Sequence, residues 1–362
     1  MTDTRPARLA AVRRALVREQ LDALVVTWAP NARYLTGFSG SSSLLVVSQQ
    51  DVVLITDFRY ETQAAGEVGD VARVVIEAQS LWARLWTVLP ELAGVERLGY
   101  ESAHLVHREL QRIVDNGSRW RWSPTVELVE ALRVQKDPIE VAHIREAGRI
   151  AGQALERTLA HIHPGLTELQ VAGVLEHALR DAGSEGYPFH SLVAAGARSA
   201  LPHGRPGRHT LKAGDLLLLD FGATFEGYSS DVTRTLVVGT ATPDQRDVYE
   251  VVRGAQAQAI SGLRTGMAGR DADAIARSYI ERAGWGRAFG HSLGHGIGLE
   301  VHEAPRLSRT AEGPIPAGSV VTVEPGVYRP GWGGVRIEDD VFLSEAGPEV
   351  LTTFSRELLE LT

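Results

Sequence analysis

Two stretches decide how this chain is read: Ala213-Gly-Asp-Leu-Leu-Leu-Leu-Asp220 and Ala317-Gly-Ser-Val-Val-Thr-Val-Glu324. Each opens on Ala-Gly, runs through an apolar segment of strand character and ends on a carboxylate at the same spacing. A glycine follows two residues later in both, in Phe221-Gly222 and Pro325-Gly326. Upstream, Gly165–Gly183 and Gly266–Gly284 are of equal length, and both read as a helix stopped by a glycine. Each of these follows a longer helix. The first starts at Asp137-Pro138-Ile139-Glu140, with an Asp cap, proline at the first helical position and Glu at the capping-box position. The second starts at Thr242-Pro243, with Gln245 in the same role. Downstream, a second strand in each copy carries an acid, Asp231 or Glu338. The repeated order predicts two related halves packed about a pseudo-twofold axis.

Ahead of that repeat, the first third of the chain alternates helix and strand patterns. Leu9, Val12, Leu16 and Leu21 recur at helical spacing, and Leu24–Trp28 reads as a strand. Ser43–Ser48 and Val52–Thr56 flank a polar turn and predict a hairpin. Val71–Ile76 and Glu96–Tyr100 supply further strands, with helices near 59–66, 81–92 and 104–115 between them. This is a mixed α/β domain without the glycine-rich turn of a dinucleotide site. The expected division is residues 1–130 and 131–362, two domains being what 362 residues imply.

Composition removes several functions. With 37 Lys and Arg against 45 Asp and Glu, the net charge of −8 argues against a nucleic-acid partner. The absence of cysteine excludes disulfides, a thiolate nucleophile and cysteine-ligated metals. The polar start and the lack of a long apolar run predict a soluble cytoplasmic protein without membrane association.

The chemistry lies in the strand ends. Asp220 closes a run of four leucines and Glu324 closes Val320–Val323, and an ionised carboxylate beside so apolar a segment is costly unless paired or bound to a cation. Singly, either residue could cap a strand at a solvent-facing turn; the symmetric set of four favours cations. Phe289–His302 adds histidines 291, 295 and 302, with glycines at 290, 294, 296 and 298 that prevent a stable helix. Two divalent cations, four carboxylates and one neutral imidazole are nearly charge-balanced. No Gly-x-Ser-x-Gly elbow occurs, and His302-Glu-Ala-Pro-Arg306 is no zincin helix.

At these residues the sequence resembles the pita-bread-fold metallopeptidases, which include methionine aminopeptidase, aminopeptidase P, prolidase and the metal-free creatinase. Leu219-Asp220-Phe-Gly, Ser230-Asp231-Val-Thr-Arg-Thr235, Gly294-His295-Gly-Ile-Gly, Val323-Glu324-Pro-Gly and Arg336-Ile-Glu338-Asp are similar to its five ligand motifs, in order. The N-terminal domain resembles the creatinase/prolidase N-domain, which methionine aminopeptidases lack. The resemblance implies an α/β (α+β) chain, with that N-domain ahead of a pseudo-twofold pita-bread catalytic domain.

It also implies roles. Asp231 and Glu338 would bridge two metals, Asp220 would bind one, and His295 and Glu324 would hold the other, with a metal-bridging hydroxide as nucleophile. Oxygen-rich ligation with one imidazole suits Mn²⁺ or Co²⁺, and Zn²⁺ is compatible. His203, His291 and His302 match the family's substrate-side histidines, and Arg336 would orient a bridging carboxylate or neutralise an acidic pocket. The implied substrate is a small peptide with proline in second place. Tyr187, Phe189 and Trp332 could wall the proline ring, and Arg198, Arg336 and Arg59 are candidate sources of charge for a free proline carboxylate. The compact N-domain favours the prolidase type over aminopeptidase P, which acts on longer peptides. A homodimer is implied as well, and a non-catalytic binding protein on the same fold is the reading from another class.

Overall fold

The computed structural model describes residues 3–361. The chain separates into two compact units, Met1–Arg133 and Val134–Thr362. Among the described residues, no helix is long and apolar enough to cross a membrane.

The first unit is built on a six-stranded sheet in the order Arg73–Glu77, Val52–Asp57, Ser43–Ser48, Ala23–Val26, Arg97–Glu101, Arg121–Thr125. The predicted hairpin is present, with Val47 opposite Val52. The Ala23–Val26 strand runs antiparallel to Ser43–Ser48 and parallel to Arg97–Glu101, so the sheet is mixed. Among the elements that escaped the sequence pattern are an edge strand and a short helix. Arg121–Thr125 carries Pro124 and exposed residues and lies at the sheet edge, where a missing N–H costs no ladder bond. Ala29–Thr36 is a short helix entered through Pro30 and ended by Gly37 at φ 82°.

In the second unit the duplicated sequence becomes a duplicated structure. The capping box at Asp137 is formed, its side chain accepting from the Ile139 and Glu140 amides, and the helix runs Pro138–Leu159. Thr242 and Gln245 make the same box ahead of Pro243–Gly262. The shorter helices are Glu168–Asp181 and Gly269–Arg282. Each half has its own sheet, with three antiparallel strands at its core. One orders Leu192–Ala195, Leu216–Phe221 and Val232–Val238; the other orders Gly294–Gly296, Ser319–Val323 and Asp339–Ser344.

Each sheet packs its helices over a separate core. Leu217, Leu219 and Leu236 meet Ile150, Ala154 and Leu175 in one half; Val321, Val323 and Val341 meet Val252, Ala255 and Ala276 in the other. Burial of these apolar faces, at roughly 25 cal/mol per Å² removed from water, sets the strand ends in place. Gly294 is required by close packing, since a Cβ there would lie 1.9 Å from the Thr322 carbonyl oxygen. That approach brings the His295 strand against the strand leading to Glu324.

Candidate metal centre and catalytic cavity

Asp220 and Glu324 close the apolar runs of two core strands, and Asp231 and Glu338 stand immediately before two others, so burial of the four strands brings the four carboxylates together. All four, together with His203, His291, His295, His302, Arg336 and Phe189, line one cavity of about 470 Å³. Ligand atoms of Asp231, His295 and Glu338 lie within 4.8 Å of one another. Nε2 of His295 stands 3.5 Å from Glu324 Oε1 and 3.8 Å from Asp231 Oδ2. Nδ1 of His295 meets the Gly296 carbonyl at 3.1 Å; a carbonyl only accepts, so Nδ1 carries the proton and Nε2 offers its lone pair to the cavity.

The electrostatics suit a site that binds positive charge. Burial pushes Asp231 well above the ordinary carboxylate range, and the neighbouring charges of Glu338, Asp220, Asp340 and Glu324 push it further. Burial, then Glu338, does the same to Glu324. Glu338 is raised to about 8 by burial and by Asp220. Asp220 is also raised by burial, against the opposing Arg336 guanidinium. His295 falls to about 4, through burial and then the nearby His302. Asp231 Oδ1 is buried without a hydrogen-bond partner. Four crowded carboxylates, a presented imidazole lone pair and an orphaned carboxylate oxygen are a donor set suited to hard divalent cations.

Arg336 is the fixed cation of the site. It donates to Asp220 Oδ2, to the Thr233 hydroxyl at 3.0 Å and to the Tyr328 hydroxyl at 2.7 Å. The Tyr328 hydroxyl in turn meets His291 Nε2 at 2.9 Å, while His291 Nδ1 meets the Ser292 carbonyl at 2.8 Å. Both nitrogens of His291 are therefore engaged, and burial followed by Arg336 lowers its pKa to about 4. It reaches the cavity as a neutral ring with no nitrogen left to offer. His203 and His302 differ: both are exposed, and neither ring makes a hydrogen bond among the described residues. The His302 pKa is lowered by burial and by Arg306, which favours the neutral imidazole.

Three expected substrate contacts of the second unit are not brought to the cavity. Arg198 pairs with the fully buried Glu168, its Nε 3.0 and 3.1 Å from the two carboxylate oxygens, and donates to the Arg205 carbonyl. Tyr187 donates to the Glu176 carbonyl and lies beneath the Arg180 guanidinium. Trp332 packs on the second core next to Arg329. Arg59 belongs to the first unit, where it pairs with Asp57 at 2.7 Å. Tyr187, Arg198 and Trp332 are close to the motifs in sequence, but adjacency along the chain does not fix where a side chain points. Arg205, Arg306 and His190 line the cavity instead. Arg306 owes its place to strand pairing, opposite His295 beside an irregularity in register. Tyr328 owes its place to the Gly326–Arg329/Gly333–Arg336 hairpin, whose Pro330-Gly331 turn was the available signal.

Comparison with known proteins agrees with this construction. Residues 142–345 match metallopeptidase family M24, and residues 8–135 match the Creatinase/Prolidase N-terminal domain. The chain is 40% identical to peptidase YqhT of Bacillus subtilis (strain 168), over 94% of this chain and 96% of that protein. A solved Xaa-Pro dipeptidase from Bacillus anthracis superposes with a TM-score of 0.95 at 38% identity, covering 98% of this chain and 99% of the other. An X-Pro aminopeptidase from Thermotoga maritima MSB8 gives 0.90 at 34% identity, covering 97% and 99%. With sheets, donor set and matched segments in agreement, the chain belongs to metallopeptidase family M24, as a prolidase-like, metal-dependent peptidase.

Proposed function

We propose that the protein hydrolyses the X–Pro bond of dipeptides. The observation that carries this reading is the charge layout of the cavity. Its floor is acidic, whereas Arg205 and Arg306 line it with guanidinium groups that have no carboxylate partner among the described residues. A dipeptide places its proline carboxylate next to the scissile bond, and a guanidinium answers that charge with paired N–H donors. A longer peptide puts a neutral amide there.

In this reading Asp220, Asp231, His295, Glu324 and Glu338 would together hold two cations, Asp231 and Glu338 being the acids at the centre of the set. Oxygen-rich ligation favours Mn²⁺ or Co²⁺. Bound there, the cations would lower the pKa of water towards neutrality and polarise the scissile carbonyl. The chain's own groups supply the rest. Arg336 neutralises Asp220 and fixes its orientation through the 233 and 328 hydroxyls. His302, a neutral ring with an uncommitted N–H, donates to the carbonyl oxygen as it gains charge. His203 is free to engage the substrate from the same cavity. Phe189, Leu192 and Val301 offer the proline ring an apolar wall. An X–Pro amide has no N–H to engage, so a site that acts on its carbonyl loses nothing by that. His291 serves by holding Tyr328 against Arg336. The expected partner is a second copy of the chain, which sedimentation velocity measures, and the expected setting is the cytoplasm.

The test is a paired assay of Ala-Pro and Ala-Pro-Ala with Mn²⁺, before and after chelation. The proposal expects the higher kcat/KM on Ala-Pro and loss of both activities on chelation. A preference for the tripeptide would make the enzyme an aminopeptidase. A fully metal-loaded protein inactive on every X–Pro peptide would make it a binding protein.

A further inference from the structure

The sequence duplication carries a second feature at the centre of the site. Asp231 and Glu338 occupy matching places in the two halves, each immediately before a core strand. Two residues beyond them stand Thr233 and Asp340, on the same strand faces as the acids they follow. Each of these reaches across to the other half. The Thr233 hydroxyl donates to Glu338 Oε2 at 2.6 Å, and the Asp231 amide donates to Asp340 Oδ2 at 3.1 Å. A backbone bond from the Glu338 amide to the Thr233 carbonyl, 3.1 Å, lies beside the first contact. All four residues are buried.

The direction of the first brace is fixed by its partners. Arg336 Nε can only donate, and it donates to Thr233 Oγ1 at 3.0 Å. With Glu338 ionised, as a metal ligand is, the single hydroxyl proton of Thr233 points at Glu338 Oε2. One oxygen of Glu338 is held by this relay from a cation through a hydroxyl, and its rotation about the carboxylate axis is set. Asp340 acts differently. It supplies an acceptor, while its other oxygen is buried without a partner.

We propose that Thr233 and Asp340 are positioning residues, reciprocal braces that hold Glu338 and Asp231 in mutual register. This rests on the reading of those two acids as shared metal ligands. Losing such an outer contact weakens metal affinity or activity by about 10–100-fold. Thr233→Val keeps the side-chain shape and removes the hydroxyl, whereas Thr233→Ser keeps the hydroxyl. Asp340→Asn keeps an oxygen acceptor for the Asp231 amide.

The experiment titrates Mn²⁺ calorimetrically into metal-free parent and variants, with thermal unfolding of each metal-free protein and kcat and KM on Ala-Pro. Thr233→Val should bind Mn²⁺ about 10–100-fold more weakly than the parent, with kcat reduced and KM nearly unchanged. Thr233→Ser should restore both properties, and Asp340→Asn should bind as the parent does. Parent-like binding and kcat in Thr233→Val would overturn the brace. So would a Thr233→Ser as impaired as Thr233→Val, because the methyl packing would then be what matters. If Thr233→Val does not fold, Thr233→Ser and Asp340→Asn decide the matter, and weak Mn²⁺ binding by either folded variant overturns it. A parent that binds no Mn²⁺ fails the underlying metal reading, an outcome distinct from a parent and a Thr233→Val that bind equally well.

Discussion

His291 and His302 lie eleven positions apart and line the same cavity, yet hydrogen bonding gives them opposite duties. His291 spends Nδ1 on a carbonyl and Nε2 on Tyr328, so it stiffens the frame around Arg336. His302 has no such commitments and faces the space a substrate would fill. Replacing it by alanine is expected to lower kcat by roughly 10²–10³ while Mn²⁺ binding is retained, which steady-state kinetics and calorimetry would show together. Loss of metal instead would place His302 among the ligands. The acids make a second prediction, in the metal-free protein. Glu338 titrates near 4.5 when unfolded and near 8 when folded, because burial and Asp220 oppose its charge. The folded state therefore binds more protons between those values, and stability falls as pH rises through that window. Melting temperatures of metal-free protein should drop from pH 4.5 to 8, and saturating Mn²⁺ should largely abolish the drop. A flat or rising profile without metal would contradict the crowding of acids.

At the scale of elements, local signals were legible where backbone chemistry was explicit. Asp137-Pro138-Ile139-Glu140 states its own helix start, and the structure forms the full capping box. Asp137→Ala should cost about 1 kcal/mol, a fall of about 2–4 °C in Tm for a unit of this size. An unchanged Tm would mean that the cap is satisfied by other groups. The strands of the duplicated halves were equally legible, since long apolar runs ending in acids leave few ways to fold. The Arg121–Thr125 edge strand was not, because edge position removes the demand for an apolar face. The substrate-side cations were hidden for a different reason. Arg198 looked available but answers Glu168, a partner thirty residues away, while Arg306 reaches the cavity only through its pairing with the His295 strand. Such cross-strand relations depend on register, and the irregularity between His295 and Gly296 puts that register beyond simple counting.

For the whole molecule, the governing fact is duplication. One helix–helix–strand–strand unit, used twice, delivers two acids per copy, and the group Asp231, His295 and Glu338 that could hold a cation draws on both copies. The excess of acids in the chain is in part local to this centre, where four carboxylates crowd the floor and Arg336 alone of the lining arginines pairs with one of them. Proteins pay for such crowding only where a ligand relieves it. The claim on which mechanism, braces and pH behaviour all depend is that these donors hold two cations together. Anomalous diffraction at the manganese edge, from crystals grown with Mn²⁺, tests it most directly. Two peaks per chain are predicted, both within ligand distance of Asp231 and Glu338, one also beside Asp220 and the other beside His295 and Glu324. No peak at these side chains, in crystals of protein that cleaves Ala-Pro under the same conditions, would contradict the account.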